Sequence, residues 1–130
     1  MERLVIKKTV ESPAVIFIPE KGKFQIVGTS WLENPDPFYK KIMDWLSNYF
    51  INPLNETVFE IQLDYFNTAS AKHIVNLLKF LKINSKIYKI RVKWYYKPED
   101  MDILTEIHRY KTLLDMDILE PTELTTKTTL

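Results

Sequence analysis

The sequence predicts a single α/β domain built on a mixed, partly parallel sheet with helices packed mainly on one face. Three observations lead there. A chain of 130 residues fits one core and is long enough to fold unaided. From Asp36 onward, segments with helical apolar spacing take turns with segments that alternate apolar and polar residues, and strands joined through helices favour right-handed crossovers. Those strand-like segments alternate instead of being apolar throughout, so only one sheet face is expected to be well covered.

In chain order, "AVIFI" and "KFQIVGTS" read as extended segments joined by "PEKG", a turn signal, and so as a hairpin. "NPDPF" offers Asp36 as an N-cap with Pro37 at the first helical position. Phe38, Ile42, Trp45, Leu46 and Tyr49 then form the stripe of an amphipathic helix that ends before Pro53. "ETVFEIQLDYF" alternates as a half-buried strand, with Phe59, Ile61, Leu63 and Tyr65 on one face. A second helix follows, with Ile74, Leu77, Leu78 and Leu81 as its core stripe and Lys72, Asn76, Lys79 and Lys82 outside. "YKIRVKWYY" alternates again, placing Ile90, Val92 and Trp94 opposite Lys89, Arg91 and Lys93. "PEDMDILTEIHRYKTLL" predicts a third helix opened by Pro98, with early carboxylates at the positive end of its dipole and Met101, Leu104 and Ile107 as its stripe. "MDIL" is a candidate last strand. The domain is expected over residues 1–120, with 121–130 a polar, threonine-rich, frayed tail.

Composition removes several chemistries. With no cysteine there are no disulfides, thiolate nucleophiles or cysteine-based metal sites, and a reducing, cytoplasmic setting is the expectation. No stretch approaches a membrane span, so no membrane partner is expected. The two glycines, Gly22 and Gly28, lie at no strand-to-helix junction, which excludes glycine-dependent phosphate loops; no nucleotide cofactor is expected. His73 and His108 have no second histidine at ligand spacing and read as ordinary histidines, with no metal site. Glu99, Asp100, Asp102 and Glu106 read as a solvated helix start. Residues 72–97 carry eight cations and no carboxylate, and residues 99–123 reverse the sign. The alternation nevertheless puts Trp94 away from Lys93, so the aromatics and cations need not share a surface, and nucleic acid is not an expected partner.

The most informative stretch is "LDYFNTASAKHIV". A strand pattern turns into a helix pattern at an Asn-Thr pair, and Asn67 or Thr68 is expected to satisfy the free N–H groups of the helix, a role worth about 1 kcal/mol. "YFNTASAK" after an amphipathic strand, with "DWLSNYF" upstream and "VKWYY" before an acidic helix, resembles the SiaC-type regulatory phosphoproteins, which are similar in fold to bacterial anti-sigma-factor antagonists, the STAS architecture. The resemblance runs from about Gly28 to Tyr110.

It implies a non-enzymatic switch. The hydroxyl at the start of this helix, here Thr68, would be phosphorylated by a partner Ser/Thr kinase of the histidine-kinase-like ATPase type and restored by a metal-dependent Ser/Thr phosphatase. The unmodified form would bind a diguanylate cyclase. Ala69 stands where family members often have serine, leaving Ser70 as the runner-up acceptor, and Ile107 stands where a glycine is expected. Asn67 and Ser70 would shape the turn, and Lys72, four residues on, would pair with the phosphate. The alternative from another class is a constitutive interaction module docking through the basic helix and strand face. An enzyme or ligand-binding domain would need a pocket that the sequence does not reveal.

Overall fold

The computed structural model describes residues 1–125 as one six-stranded sheet and three helices. In chain order these are β1 (Leu4–Ile6), β2 (Ala14–Ile18), β3 (Lys23–Ser30), α1 (Asp36–Tyr49), β4 (Glu56–Phe66), α2 (Thr68–Asn84), β5 (Lys89–Tyr96), α3 (Met101–Leu113) and β6 (Leu119–Glu123). Spatial order equals chain order. The first two pairings are antiparallel, and β3 to β6 are mutually parallel.

Each parallel step runs through one helix. Because crossovers of one hand all step the same way across the sheet, the three helices cover the same face. Phe24, Ile26, Phe59, Ile61, Val92 and Trp94 fill the layer between, each almost wholly buried. On the other face Gln25, Glu60 and Lys93 stand in register, with Val58, Gln62 and Arg91 beside them and partly or fully exposed except for Glu60. Glu60 is only 6% exposed; its carboxylate accepts from the Tyr95 hydroxyl at 2.9 Å and the Gln25 side chain at 3.2 Å, beside Lys23 at 3.6 Å.

The hairpin, β4, α2 and β5 lie where the sequence predicts them, and the α2 stripe is buried in full. Gly22 closes the hairpin with φ +59°, and a β-carbon there would stand 2.6 Å from the Glu56 carbonyl oxygen, so no other residue fits. Four expectations need correcting. β1 has only three residues, too few to show a period in sequence, and pairs with β2. Asp36 opens α1 without capping it: Pro35 holds the cap position and no side-chain cap bond forms. α3 starts three residues beyond Pro98, with Asp100 as its cap, which rotates the buried stripe to Ile103, Ile107 and Tyr110 and leaves Met101 60% exposed. The last strand runs over Leu119–Glu123 instead of "MDIL", taking in the start of the expected tail; residues 126–130 of that tail lie outside the described residues.

Candidate functional site

At the end of β4 the chain turns without glycine because Asn67, in extended backbone, supplies the missing hydrogen bonds. Its side-chain oxygen accepts the Ser70 N–H at 2.9 Å, and its side-chain N–H donates to the Leu32 carbonyl at 3.0 Å. Its backbone N–H donates to the Ser30 carbonyl at 3.0 Å. Of the two candidates, Asn67 is therefore the cap. It also ties the start of α2 to the end of β3.

Thr68 is the first residue of α2 and is exposed; its hydroxyl makes no hydrogen bond among the described residues. Ser70, two residues on, is 0% exposed. Its hydroxyl accepts from Ser30 Oγ at 2.7 Å, and Ser30 Oγ lies 2.8 Å from the Tyr39 hydroxyl. Burial pushes the Tyr39 pKa up, partly offset by the Ser30 and Ser70 hydroxyls beside it. Thr68 is reachable from solvent, whereas Ser70 becomes reachable only if the first turn of α2 opens. Lys72 is exposed one turn along and has no ion-pair partner among the described residues. His73 lies flat against Tyr39, with ring centroids 5.1 Å apart, and its Nε2 is 2.7 Å from the Asp36 carboxylate, which explains where that side chain goes instead of capping α1.

Beside Thr68 the structure opens a groove of about 540 Å³ between the β4–α2 corner and the first turns of α3. Four carboxylates line it, from Asp64, Asp100, Asp102 and Glu106, together with the single cation Arg109. Arg109 is already held by Glu106 at 2.7 Å and lies over the Tyr110 ring, 4.9 Å from its centroid. Burial, then the Glu106 charge, raises the Tyr110 pKa. Asp100 caps α3 through the Ile103 N–H at 3.1 Å, as the dipole reading of these residues requires, but its neighbours line the groove beside Thr68. Sequence reasoning treated the acidic turn and the Asn-Thr corner separately. Adjacent parallel strands both end at the same sheet edge, so the helix after β5 had to begin beside the helix after β4.

A second feature escaped the sequence reading. A bulge at Gly28 and Thr29 puts Tyr65 instead of Asp64 opposite Thr29. The Tyr65 ring then stacks on Trp31 at 4.1 Å between centroids, 51% of Trp31 and 44% of Tyr65 remaining exposed. No group of three or more histidines and carboxylates among the described residues is arranged to hold a metal ion, and none of their helices is long and apolar enough to cross a membrane.

Comparison with known proteins gives one consistent result. The model of the SiaC family of regulatory phosphoproteins matches residues 6–120. An uncharacterized protein of Pseudomonas aeruginosa (strain UCBPP-PA14) is 24% identical over 97 residues, covering 74% of this chain and 77% of that protein. The crystal structure of apo-SiaC from P. aeruginosa superposes with a TM-score of 0.83 at 19% identity, covering 96% of this chain and all (100%) of that one. A chain in the crystal structure of the P. aeruginosa diguanylate cyclase SiaD in complex with its activator SiaC gives a TM-score of 0.86 at 19% identity, covering 93% and 99% of the two chains.

Proposed function

The chain belongs to the SiaC family of regulatory phosphoproteins, and we propose from this that it is a non-enzymatic, cytoplasmic partner switch whose phospho-acceptor is Thr68. The observation that carries the reading is the contrast at the corner: Thr68 presents a free hydroxyl to solvent, while the neighbouring hydroxyl of Ser70 is sealed in the core. A histidine-kinase-like ATPase would phosphorylate Thr68, and a metal-dependent Ser/Thr phosphatase would restore it.

The physics of the corner suits such a cycle. A phosphothreonine carries about −1.5 to −2 charge, and the positive end of α2 favours it by about 0.3–1 kcal/mol. Lys72 stands exposed one turn along α2, without an ion-pair partner among the described residues. The fold therefore survives modification. A partner that covers the bare corner would instead have to bury a dianion among four carboxylates, at a cost of several kcal/mol, and each 1.4 kcal/mol is a tenfold loss of affinity. Since the P. aeruginosa SiaC of known structure is the activator of a diguanylate cyclase, the partner released on phosphorylation here is a diguanylate cyclase, and the output is cyclic-di-GMP signalling.

The competing reading is a constitutive module docking through the basic faces of α2 and β5. It loses support on the strand, where Lys89 pairs with Glu56 at 2.9 Å and Arg91 with Glu120 at 3.4 Å. Incubating the protein with the histidine-kinase-like ATPase of its own genome and ATP, then mapping the phosphate by mass spectrometry, tests the proposal. Modification of Thr68 that vanishes in Thr68→Ala supports it. No modification, or modification that survives the substitution, removes it.

A further inference from the structure

Two large aromatics standing half in water need a reason. Contact with each other stabilises Trp31 and Tyr65, as aromatic pairs do across strands, but it does not explain why both stay about half exposed on a chain whose other two tryptophans are buried or packed on the core. Their position supplies a reason. They stand at the carboxyl ends of the parallel strands β3 and β4, the edge at which open α/β sheets bind their ligands. Tyr65 also lines the carboxylate groove, so plate and groove share a wall.

Both parts are held in advance of any partner. The Trp31 backbone N–H donates to the Glu11 carbonyl at 2.7 Å, and Asn67 fixes Leu32 next to it. A surface already ordered loses little conformational freedom on binding. In the groove carboxylates outnumber the cations paired with them: Glu106 holds Arg109 and Asp64 lies 3.8 Å from Lys97, whereas Asp100 and Asp102 have no ion pair among the described residues.

Resting on the reading of Thr68 as the switch, we propose that the Trp31–Tyr65 plate is the anchor on which the diguanylate cyclase docks, and that the docking segment of the cyclase presents an apolar side chain to the plate and an arginine to the groove. Tryptophan and tyrosine are the residues on which binding energy concentrates at protein interfaces. An arginine matches because its rigid planar fork presents two parallel N–H donors to a carboxylate, a geometry that the single nitrogen of a lysine does not offer. The same arrangement sets the sign of the switch: Thr68 lines the groove, and a single arginine cannot neutralise a phosphate dianion added to four carboxylates.

The test is the affinity of the purified full-length cyclase from the same genome for the full chain and three variants. Trp31→Ala and Tyr65→Ala should each weaken binding about tenfold or more, with far-UV circular dichroism and melting temperature reporting that the fold is kept. Asp102→Lys sits on an exposed position of the first turn of α3 and so cannot fail by unfolding the core; it should weaken binding about tenfold and flatten its salt dependence. Wild-type binding that none of the three variants weakens overturns the anchor and leaves the Thr68 switch standing. Failure of the unmodified wild type to bind the cyclase overturns the anchor and the cyclase assignment together.

Discussion

The side-chain oxygen of Asn67 accepts the backbone N–H of Ser70 at 2.9 Å, and this bond lets a strand turn into a helix with no glycine between them. Asn67→Ala removes it and also frees the Leu32 carbonyl. Chemical denaturation should show a loss of about 1–2 kcal/mol. Asn67→Asp keeps the cap and should recover most of that loss, falling short by the bond to Leu32.

Ser70 and Thr68 should behave oppositely. Ser70→Ala leaves the Ser30 hydroxyl without its buried acceptor, and a loss of about 1–3 kcal/mol is expected in urea unfolding, with the kinase still placing its phosphate on Thr68. Thr68→Ala changes an exposed side chain that makes no hydrogen bond among the described residues, and its stability should stay within about 0.5 kcal/mol of wild type. Phosphate incorporation should disappear.

How much of this was legible in the sequence depends on local signal. β4 and α2 could be read to within a residue because eleven residues of alternation meet a helical stripe at a residue type that caps helices. β1 could not, since three residues hold no period. The α3 stripe was misplaced because Pro98 looked like a helix start, whereas Asp100, two residues later, makes the cap bond. The rest of the site was illegible for a different reason. Trp31 lies 34 positions from Tyr65, and the acidic turn 32 from Thr68 at Asp100; only the strand order and a bulge bring them together.

The open sheet face makes a prediction about pH. Burial, followed by the hydrogen bond and charge of Glu60, pushes the Tyr95 hydroxyl up to about 12 from its ordinary value of about 10. The folded chain keeps this proton where the unfolded chain has released it, so the stability it contributes is complete below about pH 10 and is lost as pH rises towards 12. Burial shifts Tyr39 and Tyr110 in the same direction. Urea midpoints should therefore fall with pH in that window, and Tyr95→Phe should make the fall shallower while lowering stability at neutral pH by about 1–3 kcal/mol, because Glu60 loses a buried donor.

The most direct measurement compares one protein in two states. Wild type phosphorylated at Thr68 and its unphosphorylated form are each titrated with the cyclase, and each is melted alone. The switch predicts melting curves that differ by no more than about 1 kcal/mol in stability, with cyclase affinity lower by about tenfold or more in the phosphorylated form. Equal affinities for the two forms, or a phosphoprotein that no longer folds, would contradict it.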